Sequence, residues 1–136
     1  MTVIVTDTGF GPDDLETCFV PLADRPAGDC HCGIDLDSDT SPDALAEVMA
    51  APIVRIDFPS FADGRGFTLA QLLRRAGFRG RLRARGHVLA DQYAMARRAG
   101  FDEVEITEDL AARQPETQWL ARADWRVHDY QARLRG

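Results

Sequence analysis

The chain contains no lysine, because all 16 of its basic residues are arginine. That absence excludes mechanisms built on a lysine Schiff base or a P-loop lysine. Cysteine is scarce and odd in number, with Cys18, Cys30 and Cys32 as the three, which argues against a disulfide framework. Cys30-His31-Cys32 has metal-ligating residue types. Zinc, however, takes four ligands, commonly as two spaced pairs, and the other histidines, His87 and His128, supply no second pair, so no metal is expected. No apolar run approaches the ~20 residues of a membrane span, so no membrane helix is expected. The opening MTVIVTDTGF lacks a basic region followed by a long apolar one, so a secretory signal is not expected and a cytoplasmic location is.

What is present fits one α/β domain over residues 1–136. At 136 residues and 45% apolar content the chain is long enough for one real core. Charge is unevenly placed. Residues 1–64 hold 13 acids and 2 Arg (−11), residues 65–100 hold 9 Arg and 1 acid (+8), and residues 101–136 hold 8 acids and 5 Arg (−3). A basic block between acidic flanks points to internal pairing or to an anion site. A nucleic-acid surface is not expected, since the pI is about 5.0 and no aromatic stacking motif is interleaved with the arginines.

The chain then reads as alternating strands and helices. Residues 2–6 form a strand, and residues 7–32, rich in Gly, Pro and Asp, read as mostly loop with a helical turn near 15–19. Strands are expected at 33–37, 52–57, 81–85 and 102–106. Helices are expected over 42–49 behind an N-cap Ser41, over 68–76 stopping at Gly77, over 88–99 stopping at Gly100, and from Thr107 to Arg113. The tail 114–136, with Trp119, Trp125 and Tyr130, is expected to lie back on the body. Strands alternating with helices imply βαβ units and a mostly parallel sheet.

The strands do not read as the continuous apolar runs of a sheet covered on both faces. Ile34 and Leu36 oppose Asp35 and Asp37, Val54 and Ile56 oppose Arg55 and Asp57, Leu82 and Ala84 oppose Arg81, Arg83 and Arg85, and Val104 and Ile106 oppose Glu103 and Glu105. Each strand therefore has one apolar and one charged face. The expected architecture is a partial (β/α) barrel-like sheet with helices on one face. The alternative is a flavodoxin-like fold with a switch in strand order. The charged face reads either as an ion-pair ladder or as a site at the ladder's rim.

Ligands of parallel α/β folds gather at the C-terminal ends of strands. The loop Asp57-Phe-Pro-Ser-Phe-Ala-Asp-Gly-Arg-Gly66 is unusually long, and Arg65 between two glycines offers five donors to an anion, or pairs with Asp63 in a turn. Its Gly-x-Gly lacks the third glycine and the distal acid of a dinucleotide fingerprint. His87 opens the next helix as a candidate acid/base or anion donor, with Asp91 and Gln92 in that helix's first turn. No Ser/His/Asp order, nucleophile elbow or paired-carboxylate pattern stands out, so no catalytic residue is assigned.

The stretches Arg55-Ile-Asp-Phe-Pro-Ser-Phe-Ala-Asp-Gly-Arg-Gly-Phe-Thr-Leu-Ala, Leu72-Leu-Arg, Gly80-Arg-Leu-Arg-Ala-Arg-Gly-His-Val-Leu-Ala-Asp-Gln and Ala99-Gly-Phe-Asp carry a further signal. Over residues 33–108 the sequence resembles the bacterial domain-of-unknown-function family numbered 934. Positions matching its pattern include Asp57, Asp63, Arg65, Arg83, Asp91 and Gln92. The resemblance implies a setting in sulfite reduction, because members are labelled oxidoreductases encoded beside assimilatory sulfite reductase. It brings no catalytic residues with it. The chain carries no motif for flavin, nicotinamide, iron–sulfur or haem, so no resident cofactor is expected. The expectation is an accessory protein of assimilatory sulfate/sulfite reduction that binds a small anion through Arg65, Arg83 and His87, with Asp57, Asp63 and Asp91 orienting the arginines. Two alternatives stand beside it. One is a non-catalytic module docking on the sulfite reductase hemoprotein, and the other is a small-molecule lyase or isomerase on a barrel-like scaffold.

Overall fold

The structure is a computed structural model and describes residues 2–12, 19–22, 33–61 and 64–123. Its strands are β1 (Thr2–Thr6), β2 (Gly9–Gly11), β3 (Phe19–Pro21), β4 (Gly33–Leu36), β5 (Ile53–Phe58), β6 (Arg81–Gly86) and β7 (Glu103–Thr107). Its α-helices are α1 (Arg65–Arg75), α2 (Tyr93–Ala99), α3 (Glu108–Arg113) and α4 (Glu116–Leu120). Two 3₁₀ segments, Pro42–Val48 and Ala90–Gln92, stand where longer α-helices were expected.

All seven strands join one sheet in the order β2-β1-β7-β6-β5-β4-β3. From β3 to β7 the strands are parallel and follow chain order, so each crossover moves one place along the sheet. β1 returns to pair antiparallel with β7, and β2 folds back on β1. This antiparallel hairpin occupies the edge through which a barrel would close, and the sheet stays open. The result is the expected mostly parallel α/β sheet with the open layering of the flavodoxin-like alternative, but its parallel strands run without a switch of order. Two strands were missed in the segment read as loop. β2 and β3 are three residues each and carry Gly and Pro, so they owe their pairing to the neighbouring strands rather than to propensity.

Side-chain alternation positions everything else. Val5, Ile34, Leu36, Val54, Ile56, Phe58, Leu82, Ala84, Val104 and Ile106 form a single core with Leu45 and Val48, Phe67, Leu69, Ala70 and Leu73 of α1, Tyr93 and Ala96 of α2, and Trp119 of α4. Every described helix adds residues to that cluster or packs against it, so the helices lie on the apolar face. A one-residue slip of any central strand would turn its charges into this core, which fixes the register. The caps read from sequence form: Ser41 Oγ accepts from the Asp43 N–H (3.3 Å) and Thr107 Oγ1 from that of Leu110 (3.2 Å). α1 begins three residues earlier than expected. Gly66 lies where a Cβ would stand 2.5 Å from the Phe58 ring, so its lack of a side chain lets the helix start settle onto β5.

Candidate functional site

The charged face of the sheet is a ladder. In register, Asp35 of β4 lies beside Arg55 of β5, Arg55 beside Arg83 of β6, and Arg83 beside Glu103 of β7. Arg55 grips Asp35 with two parallel bonds, Nε to Oδ1 at 2.6 Å and Nη2 to Oδ2 at 2.9 Å. Two guanidinium groups opposite each other would repel. Glu105, one step along β7, offsets this by accepting from Nη1 of both Arg83 (2.9 Å) and Arg55 (3.2 Å). Glu103 takes Arg83 Nε at 2.7 Å and also accepts from Arg81. The Phe19 ring of β3 lies 3.9 Å from the Arg55 guanidinium carbon. Burial works against the charge on Arg55, but Asp35 and Glu105 outweigh it and raise its pKa above the ordinary value. Arg83, Glu103 and Glu105 are at most 4% exposed. Arg83 is therefore closed inside the ladder, away from the strand-end rim where it was expected.

At the C-terminal ends of β4, β5 and β6 the ladder opens. A cleft of about 900 Å³ is lined there by Asp35, Asp37, Glu47, Arg55, Asp57 and Arg85, with Thr40 and Pro21. Asp57 and Arg85 are cross-strand neighbours. The Arg85 side chain is 47% exposed, and the ion pair it makes among the described residues is a long one, to Glu105 at 3.6 Å. Arg65, exposed at the start of α1, donates from Nη2 to Ser38 Oγ at 3.2 Å. Ser38 is buried in the loop whose Asp37 and Thr40 line the cleft, so the loops after β4 and β5 interlock at this rim.

The loop after β6 joins them. The His87 backbone N–H donates to the Phe58 carbonyl (2.9 Å), and His87 Nδ1 lies 3.2 Å from the same oxygen. Phe61 meets the imidazole edge-on at 5.0 Å. Gly86 precedes His87 with φ +105°, and a Cβ there would stand 2.9 Å from the Phe58 carbonyl oxygen. Gln92 donates to the Phe61 carbonyl (3.0 Å) and accepts from the Leu89 N–H (2.8 Å), which ties the two loops together.

Of the residues expected at the site, Asp57, Arg65 and His87 thus stand at the C-terminal rim. Gln92 braces it, and Asp91 points outward in an exposed pair with Arg122 (2.8 Å). Asp63, Cys18, Cys30, His31, Cys32 and the tail from 124 lie outside the described residues. Among the described residues no group of three or more His, Cys, Asp and Glu is placed to hold a metal. Sequence reasoning missed Arg85, Asp37 and Glu47. For Arg85 a signal existed: it stands next to the C-terminal end of β6, while Arg83 occupies the strand's middle, where neighbouring strands cover it.

The family model described as "Bacterial protein of unknown function (DUF934)" matches residues 33–136. The chain belongs to this family. Its match begins at β4 and takes in β4 to β7, and with them every charged residue of the ladder and of the rim. No curated protein and no solved structure matches the chain. No helix among the described residues is long and apolar enough to cross a membrane.

Proposed function

We propose that this member of the family is an accessory protein of assimilatory sulfate/sulfite reduction that holds a small oxyanion in the cleft at the ends of β4–β6, with Arg85 as the main donor. One observation carries this. The deeper arginines Arg55 and Arg83 have carboxylate partners at 3.2 Å or closer, whereas Arg85 ends half-exposed over the cleft. A guanidinium there offers a planar fork to an oxyanion. Arg65 is the second guanidinium of the rim.

The carboxylates of the cleft refine the ligand. Asp35 is taken up by Arg55, but Asp37 and Asp57 also face the cleft and would repel a bare anion. An oxyanion that carries a proton, such as hydrogensulfite or hydrogenphosphate, gives Arg85 its negative charge and gives a carboxylate its donor. Thermal-shift measurements with sulfite, phosphate and sulfate test this. Sulfite and phosphate are expected to stabilise the protein more than sulfate does, and Arg85→Ala to abolish the difference. Equal stabilisation of wild type and Arg85→Ala by all three ions would sink the proposal.

A second role, docking on the sulfite reductase hemoprotein, is favoured by the self-contained ladder, which leaves the charge pattern explained without a ligand. Co-purification with the hemoprotein that survives Arg85→Ala supports docking alone. Loss of anion binding in the same variant supports the cleft.

A further inference from the structure

A second, smaller cavity of about 220 Å³ sits at the C-terminal ends of β6 and β7, walled by Phe61, His87, Thr107, Asp109, Leu110 and Arg113. Among the described residues it shares no lining residue with the larger cleft. Its place is the one where parallel sheets gather ligands.

Its chemistry is mixed in a specific way. Phe61 supplies an apolar wall, and at 39% exposure it is one of the few large apolar side chains left open to solvent. Leu110 adds a second apolar surface. The Phe58 carbonyl can only accept, so Nδ1 of His87 donates to it, and the tautomer that does so presents Nε2 as an acceptor. Asp109 is a second acceptor. Arg113 brings a guanidinium to the described lining, and it forms no ion pair with any described residue. Thr107 Oγ1 already accepts from the Leu110 N–H, and its hydroxyl hydrogen is left to donate.

We infer that this cavity is a binding site for a small hydroxy-substituted aromatic carboxylic acid, its carboxylate on Arg113, its ring between Phe61 and Leu110, and its hydroxyl donating to His87 Nε2 or Asp109. Each part of such a molecule answers one feature of the wall. The fork of Arg113 selects a planar carboxylate, the two apolar surfaces select a flat body, and the acceptors select a donor at its other end. An unsubstituted aromatic acid leaves those acceptors facing apolar carbon, which costs affinity.

The test is NMR-monitored titration of the full chain with 3- and 4-hydroxybenzoate, benzoate and phenol as probes. At least one hydroxybenzoate is expected to shift the amide signals of His87, Leu110 and Arg113 and to bind about tenfold more tightly than benzoate or phenol. Arg113→Ala and the milder Arg113→Gln are expected to weaken it about tenfold, and His87→Phe to bring it down to the level of benzoate. Shifts confined to other parts of the chain, or undiminished binding by both Arg113 variants with unchanged spectra elsewhere, overturn the assignment. The oxyanion measurements on Arg85 are independent of either result.

Discussion

Arg83→Met separates a structural ladder from a binding rim. Arg83 is fully buried and donates to Glu103 at 2.6–2.7 Å and to Glu105 at 2.9 Å. Removing one partner of a buried pair costs about 3–5 kcal/mol, because it leaves uncompensated charge in the interior. Here Glu103 keeps Arg81 and Glu105 keeps Arg55, so the cost falls at the low end, about 3 kcal/mol. Against a total stability of about 5–15 kcal/mol that is a large share. With a urea m-value of about 1–3 kcal/mol per molar, the midpoint drops by about 1–3 M. Glu103→Leu added to Arg83→Met removes the buried carboxylate that has lost its main partner, and Arg81, whose side chain is 36% exposed, can turn to water. The double variant is therefore expected to be more stable than Arg83→Met alone. A loss under about 1 kcal/mol for the single variant, or simple additivity in the double one, would refute the buried ladder.

Other expectations concern the helix face and the rim. Burial, the hydrogen bond to Asp7 and that carboxylate's charge hold Tyr93 protonated, well above its ordinary pKa of 10.0, with Arg97 opposing. The folded state keeps this proton where the unfolded chain releases it. The stabilisation is thus complete below pH 10 and lost above it, and by pH 11 wild type should lose about 1.4 kcal/mol that Tyr93→Phe does not. Denaturant titrations at pH 8 and pH 11 check this; parallel losses in the two proteins would contradict it. Gly86→Ala, which forces a side chain into φ +105° and against the Phe58 carbonyl, is expected to cost about 1–3 kcal/mol and to disturb the His87 signals. Trp119→Ala, which empties the place where the indole packs edge-on to Tyr93 at 6.0 Å, is expected to cost about 3–5 kcal/mol by thermal or urea unfolding.

Strand alternation made the two-faced sheet legible, because one apolar and one charged face is a local, period-2 property of β4 to β7. The caps at Ser41 and Thr107 and the stops at Gly77 and Gly100 are local for the same reason. What lay beyond sequence was set by partners far along the chain. β2 and β3 form because neighbouring edges offer them hydrogen bonds. Asp7 meets Tyr93 and Arg97 across 86 and 90 residues. Glu105 reaches over β6 to Arg55, a contact that depends on strand order. The site was half legible: Asp57, Arg65 and His87 stand at the strand ends where they were expected. Arg83 and Arg85 carry the same side chain two residues apart on one face, and only their depth along β6 tells ladder from rim.

The most direct measurement sets those two arginines side by side: the sulfite dissociation constant by calorimetry, and the melting temperature, for Arg83→Met and Arg85→Ala. Arg85→Ala is expected to bind about tenfold more weakly with its melting temperature nearly unchanged, and Arg83→Met to melt lower while binding as wild type does at temperatures where it is folded. Normal sulfite affinity in Arg85→Ala, or weakened affinity without loss of stability in Arg83→Met, would contradict the division of the charged face into a closed ladder and an open rim.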